Sequence, residues 1–464
     1  MPFYYGLKIK PGDSAKVQTK KRRVVEKLGL LREALNQHID ESRKNPTNAQ
    51  TVKIATWNIR EFGGNKYGGR TYEDLFYMAE IISKFDLIAL QEVRKDLQEF
   101  KDLRRILGPS WHYVASDVTD GSAGNQERMV FLYNSDVVRF RHIAGELTLK
   151  ENNKIRASFG ERIKLENGVK LDLNGNPDLS GIYDAYTEKK NGRVRLKEDL
   201  EIPLPDNCRI EVPNGAFLTV KKGTHINRPE KGKAEVQIPD TIVEGENFGL
   251  RFPENTFDDS LRQFARTPFL ISFQAGWLKI NLCTVHIYYG SNELTNKLNQ
   301  RVNEIKLLTE ALANKAINEF NDDKESFMGV LGDFNIIGKA HSTMEALESN
   351  GFVVPDDIKS IPEGSNVKRD KFYDQIAFWN PKRRSDYATL DIIGANIFDF
   401  FKTVYTAADE PLYRAEGEAR NGLKSRNNYS TWRTYKMSDH LPMWVELRTD
   451  FTNEYFEHIE SENG

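Results

Sequence analysis

Cysteine is nearly absent from this chain of 464 residues, which holds only Cys208 and Cys283. Two cysteines build no disulfide framework, which excludes the small stapled folds of secreted domains and favours a reducing, cytoplasmic compartment. Cys283 sits in an apolar run and reads as a buried thiol. Long hydrophobic runs are missing as well. No stretch approaches the roughly 18–20 apolar residues that a membrane-spanning helix needs, and the first ten residues lack the apolar core and small-residue cleavage site of a signal peptide. No membrane partner is expected. Nor does one sign of charge prevail. With a formal net charge of -2, affinity for a polyanion has to come from local basic patches or bound metal. What remains is 39% hydrophobic and 29% charged, the composition of a globular chain with a true core, long enough for one large domain plus additions.

The pattern of apolar positions divides the chain. Residues 1–50 read as a basic amphipathic helix and linker: Val24, Leu28, Leu31, Leu35 and Ile39 recur at helical spacing, Ser14 caps the start, and Lys16, Lys20, Lys21, Arg22, Arg23 and Lys27 crowd the early turns. Such a helix either packs on the main domain with its charges solvated or serves as a nucleic-acid or partner-binding arm. Residues 51–145 and 258–448 alternate strand-like and helix-like segments, the mark of a layered sheet-and-helix domain. Between them, residues 146–257 change texture. Asn-Gly pairs at Asn167, Asn174, Asn191 and Asn214 separate short alternating runs at 169–173, 194–196, 200–204, 210–212 and 236–238, which predicts a β-rich insertion built of hairpins. Residues 449–464 form an acidic tail, expected to fray.

Within the layered domain, polar residues gather where predicted strands end. Asn58, Glu92, His286, Asp333, Asn335, Asp439 and His440 each lie at the C-terminal end of a strand or in a loop leading into one. Singly, each is an ordinary turn or surface residue. Together they supply what phosphodiester hydrolysis needs: oxygen ligands for a hard divalent cation, groups that move a proton, and donors for developing negative charge.

The segments Thr56-Trp-Asn-Ile-Arg60, Leu90-Gln-Glu-Val-Arg94, Thr284-Val-His286, Gly332-Asp-Phe-Asn335, Tyr373-Asp-Gln-Ile376 and Ser438-Asp-His440 follow one another in an order that resembles the endonuclease/exonuclease/phosphatase superfamily. Asn58-Ile-Arg-Glu-Phe-Gly63, Glu127-Arg128 and Arg266-Thr-Pro268 make it most similar to the pancreatic deoxyribonuclease branch. The resemblance covers about residues 52–143 and 264–448. It implies an α/β (α+β) fold, a four-layer β-sandwich flanked by helices, here with the inserted β-rich domain and the N-terminal helix as additions.

Carried over residue by residue, the resemblance implies Asn58, Glu92 and Asp439 as ligands of Mg²⁺ or Mn²⁺. Asp333 and Asn335 would orient the attacking water and hold the phosphate. His286 and His440 would be the catalytic histidines, oriented by Glu127 and Asp374 respectively; which acts as base and which as acid stays open. Arg60, Arg94 and Arg266 would face substrate phosphates or the minor groove. Asn125 stands where the branch carries a groove-stacking tyrosine, a departure that bears on duplex recognition. The expected activity is a metal-dependent nuclease, on DNA before RNA. Two other readings stay open: a phosphatase or phosphodiesterase acting on a lipid or small phosphate ester, and a nuclease-derived binding module or subunit of a nucleic-acid defence or repair assembly, with the insertion or N-terminal helix as the protein-docking element.

Overall fold

The computed structural model describes residues 1–44, 50–65, 68–119, 126–149, 263–290, 296–322, 326–379, 389–416, 423–424 and 427–463, together with short strands between 162 and 251. Asn125, Cys208, the four Asn-Gly pairs and the run at 236–238 lie outside the described residues. Two compact units emerge: residues 1–153, 263–289 and 301–464 in one, 154–262 and 290–300 in the other.

The larger unit holds two six-stranded mixed sheets. In the first, β1 (Thr51–Phe62), β2 (Leu87–Arg94), β3 (Trp111–Ala115) and β4 (Glu127–Asn134) are joined by two late strands. The second takes β5 (Arg139–Glu146), β6 (Phe269–Ala275), β7 (Leu278–His286), β8 (Ser326–Asp333), then Phe352–Val353 as β9 and Asp374–Trp379 as β10. The late strands of the first sheet are β11 (Ile392–Ile397) and β12 (Met443–Arg448). Strand order is β11-β12-β1-β2-β4-β3 in one sheet and β9-β10-β8-β7-β6-β5 in the other. Parallel neighbours need crossovers. Helix α2 (Tyr72–Ile82) leads from β1 to its parallel partner β2, and α4 (Asn296–Asp322) from β7 to its parallel partner β8. Between β2 and β3 lies α3 (Gln98–Leu107).

The inner faces of the sheets meet in an apolar core. Phe131 on β4 stands edge-on to Phe273 on β6, with ring centroids 5.5 Å apart, an arrangement favoured by the ring quadrupoles. A buried polar bridge crosses the core: Gln91 donates to Thr56 Oγ1 at 3.1 Å and to Thr284 Oγ1 at 2.9 Å. Cys283 is free and buried.

The N-terminal helix α1 (Ala15–Glu41) forms where its periodicity places it. Ser14 accepts from Val17 N–H, and the buried face is Val24, Leu28, Leu31, Leu35 and Ile39. Of its two readings, the contacts favour the packed helix. Arg23 pairs with Glu73 at 2.8 Å, Arg32 with Glu80 at 2.7 Å and Lys27 with Asp409 at 3.0 Å, so these cations are spent on the protein itself. The tail departs from expectation, for Thr452–Asn463 is helical. Asp450 accepts from the backbone and hydroxyl of Thr452, Arg448 pairs with Glu454, and Tyr455 packs against Trp277 at 5.2 Å, so the segment has both a cap and an anchor. No helix among the described residues is long and apolar enough to cross a membrane.

The smaller unit is antiparallel β throughout its described strands. One sheet orders Leu200–Pro203, Arg209–Val212, Gly249–Arg251 and Arg162–Lys164; the other orders Lys170–Leu171, Thr241–Glu244, Phe217–Thr219, Arg193–Leu196 and Tyr186–Lys190. Lys190 at the end of one strand stands opposite Arg193 at the start of the next. Where the chain leaves and rejoins the larger unit, the Gln263 side chain holds both the N–H and the C=O of Leu149, each at 2.8 Å.

Candidate active site

Strand register brings the polar residues to one end of the sandwich. His286 ends β7 opposite Asp333 at the end of β8, and Asp333 is opposite Asp374 at the start of β10. In the facing sheet Arg94 ends β2 opposite Glu127 at the start of β4. Two irregularities sharpen the placement. The β1–β2 ladder jumps between Asn58 and Phe62, and the β2–β4 ladder between Leu90 and Val93. Such bulges bend a strand and re-aim its side chains. The backbone here is strained, for Arg60, Glu61, Glu92 and Asn335 all have φ between +40° and +61°, a region that non-glycine residues rarely occupy. Gly332 is required beside them. At φ +142° it lies so close to β7 that a Cβ would meet the Val285 carbonyl oxygen at 2.2 Å.

Two histidine–carboxylate dyads converge on Asp333. His286 Nδ1 is 3.2 Å from Glu127 Oε2, and His440 Nδ1 is 2.8 Å from Asp374 Oδ2. The other ring nitrogens, both Nε2, lie 3.6 Å and 3.7 Å from the same Asp333 Oδ2. Asn58 Nδ2 donates to that oxygen and to Glu92 Oε1, each at 3.0 Å, while Glu61 N–H donates to Glu92 Oε2 at 2.8 Å. Asn335 N–H donates to Asp333 Oδ1, and its side-chain amide donates to Ile287 O. Asp439 is half-exposed and pairs with Arg60 at 3.0 Å.

Burial opposes charge on each of these groups, and their neighbours decide the outcome. Burial raises the Glu127 carboxyl, yet the charge and hydrogen bond of His286, with Arg266 behind, hold it down to about 2. Burial lowers both imidazoles, but Glu127 holds His286 above its ordinary value, and Asp374 with Asp333 holds His440 well above. Asp333, although buried, is held below the usual carboxylate range by His440 and His286. Asp333 thus favours the protonated form of each ring, and the rings favour its charged form.

Glu92, Glu127 and His286 each bring a ligand atom to within 4.8 Å of one another. With Asp333 and Asp439 adjoining, this end of the sandwich offers mainly carboxylate oxygens, the donor set of a hard divalent cation, while Asn58 turns its amide nitrogen to Glu92 and Asp333 and accepts from Arg60 N–H through Oδ1.

Arg266, expected to face substrate phosphates, is placed otherwise. Arg266 is buried and ion-paired with Glu127 and does not present itself to solvent, because a buried carboxylate at that place demands a cation. Arg94 remains partly exposed, 3.7 Å from Glu61, and Arg60 lies over the Tyr435 ring at 3.9 Å. Trp432 is core, and His341 caps the helix Ser342–Leu347. Three residues were not legible as contributors. Ser365 Oγ donates to Asp374 Oδ2 at 2.6 Å, Ser438 Oγ donates to Asn58 O at 2.6 Å, and Arg301 Nη1 donates to Asn335 O at 2.8 Å. Of these, Ser438 alone lies in a segment that carries the resemblance, Ser438-Asp-His440.

Residues 55–339 match the family model described as Endonuclease/Exonuclease/phosphatase family. Among curated proteins, the chain is 33% identical over 94 residues to Deoxyribonuclease-1 of Gallus gallus, covering 19% of this chain and 33% of that protein. It is 24% identical over 159 residues to Deoxyribonuclease-1 of Mus musculus, covering 30% and 55%. The chain thus spans from a third to little over half the length of these relatives. Among solved structures, a mannosyl-6-phosphatase of Bacteroides thetaiotaomicron VPI-5482 aligns over 85% of this chain and 99% of its own, at 12% identity and a TM-score of 0.40.

Proposed function

Because the chain belongs to the Endonuclease/Exonuclease/phosphatase family, we propose that it is a divalent-metal-dependent phosphodiesterase that cleaves nucleic acid, DNA before RNA. One observation carries the chemistry: two imidazole Nε2 atoms, each backed by a buried carboxylate, stand within 3.7 Å of one Asp333 oxygen. A phosphodiester in that space meets one ring on each side. One takes a proton from the attacking water and the other gives a proton to the leaving oxygen, the pairing that general acid–base hydrolysis requires. Glu127 and Asp374 fix the ring tautomers and stabilise the charged forms. Asp333 and Asn335 hold the water and the phosphate. Asn58, Glu92 and Asp439 hold Mg²⁺ or Mn²⁺, which when bound polarises the phosphoryl oxygen.

Nucleic acid as substrate is supported by the likeness to proteins named Deoxyribonuclease-1 and by the partly exposed Arg60 and Arg94 at the rim. Arg266 acts through Glu127. A cytoplasmic setting agrees with the free thiol of Cys283. The test is purified protein with Mg²⁺ or Mn²⁺ against plasmid, linear duplex, single-stranded DNA, RNA and a phosphoinositide. Cleavage of DNA at the highest rate is expected. Turnover confined to the phosphoinositide would overturn the nuclease reading while leaving the hydrolytic centre.

A further inference from the structure

Arg70 lies between the segments 56–60 and 90–94, in the loop ahead of α2, and its side chain is 2% exposed. Its guanidinium donates to five backbone carbonyls from two distant stretches. Nη2 reaches Ile59 O at 2.6 Å, Arg60 O at 2.8 Å and Met437 O at 3.1 Å; Nη1 reaches Glu61 O at 3.4 Å, and Nε reaches Lys436 O at 3.2 Å.

Both stretches have carbonyls in need of donors. At 59–61 the positive φ of Arg60 and Glu61 takes the chain out of its ladder with β2. Lys436 and Met437 end the helix Tyr429–Lys436, whose last turn leaves carbonyls without helical partners. A cation there also meets the negative end of the helix dipole. The tie runs both ways, since the buried Lys436 ammonium donates to Gly69 O. Glu99 on α3 steadies the arginine, accepting from Arg70 N–H at 2.8 Å and lying 3.7 Å from Nη1, and the Phe62 ring underlies the guanidinium at 4.8 Å.

We propose that Arg70 is a positioning residue of the catalytic centre. Through one buried guanidinium it fixes the spacing between the end of β1 that carries Asn58 and the turn that carries Asp439 and His440. Asn58 is one residue before the first tethered carbonyl, and Asp439 is two residues after the last. Two cation ligands on separate segments thereby share one fixed point, so loss of the guanidinium loosens both together. The inference rests on the reading of the cleft as a divalent-cation site. Ligand-supporting groups of this kind are worth about 10–100-fold in metal affinity or activity.

The experiment compares Arg70→Met and Arg70→Lys with wild type in three measurements. In metal-free protein, amide hydrogen exchange should rise in 58–62 and 437–440 together in Arg70→Met. Mn²⁺ titration should show affinity lowered about 10–100-fold. In turnover, the Mn²⁺ activation curve should shift by that factor, with kcat largely recovered at saturating Mn²⁺, a recovery that global destabilisation would not give. Arg70→Lys, which keeps the charge and three donors, should fall between, and it carries the test if Arg70→Met does not fold. Exchange raised in only one segment, or wild-type Mn²⁺ affinity in a folded variant, overturns the proposal. A wild-type protein that binds no Mn²⁺ overturns instead the reading of the cleft, and the exchange data then decide the tether alone.

Discussion

At the seam between α1 and α2, each buried carboxylate meets an arginine: Glu73 with Arg23, Glu80 with Arg32. Glu446 on β12 is matched by Arg43 in the same way. At the floor of the cleft, Glu92, Glu127, Asp333, Asp374 and Asp439 crowd together against Arg60, Arg266 and two histidines whose charge depends on bound protons. Backbone geometry differs too, for four positive-φ residues, Arg60, Glu61, Glu92 and Asn335, belong to this site and none lies on α1 or α2. Matched charge on a relaxed helix is packing. Carboxylates crowded together by bulged strands form a set of ligand atoms that fits a divalent cation.

The largest expected effects break the cleft side of this contrast. His286→Ala and His440→Ala should each reduce turnover by about 10²–10⁴-fold with the fold intact, the usual contribution of a general acid or base. Asp374→Asn should cost less, because it orients His440 and moves no proton in the reaction. Steady-state rates on any substrate the native protein cleaves, with circular dichroism as the folding check, decide this. Near-native turnover in either alanine variant removes that histidine from the chemistry.

The seam should behave in the opposite way. Arg23→Met strands Glu73 and should lower unfolding free energy by about 3 kcal/mol, the low end for a broken buried pair, since Lys20 and Tyr413 still reach that carboxylate. Catalytic constants at a temperature where the variant is folded should not change. A Glu73-dependent loss of kcat without loss of stability would erase the distinction between the two regions.

A smaller effect concerns His38, half-buried on α1 beside Phe398 and Trp444, whose Nε2 accepts from Trp444 Nε1 at 3.4 Å. Burial pushes this imidazole down to about 4 from an ordinary 6.5. The folded protein therefore keeps it neutral while the unfolded chain takes up a proton. Its contribution is full above pH 6.5 and is lost as pH falls towards 4, about 1–2 kcal/mol by pH 5. Chemical denaturation at pH 7 and pH 5 should show wild type losing more than His38→Gln. Equal losses would mean that His38 is solvated in the folded state.

Hydrophobic period, which is local, made the layered architecture readable, and the resemblance to the family pointed to the residues that gather at this end of the sandwich. The buried face of α1 followed from spacing alone, and so did the strands carrying Asn58, Glu92, His286 and Asp333. What stayed hidden depends on long-range partners. Arg266 gives no sign in sequence that Glu127, 139 positions away, will bury it. Arg301, among the apolar positions of α4, looks like a solvent-facing residue until Asn335 O is placed beside it. Arg70 reads as a loop residue after two glycines, and its five acceptors are known only once the end of β1 and the 436–437 turn are brought together. Helix Thr452–Asn463 was missed because its acidic composition outweighed a cap and a ring contact that sequence does not display.

The most direct test of the cleft as a divalent-cation phosphodiesterase centre is DNA hydrolysis followed through one cycle of chelation and Mn²⁺ add-back, in wild type and Glu92→Gln. Cleavage by the wild type should vanish in excess chelator and return with Mn²⁺, and Glu92→Gln should require far more Mn²⁺ to reach half its rate. Cleavage that continues unchanged in excess chelator would contradict the account.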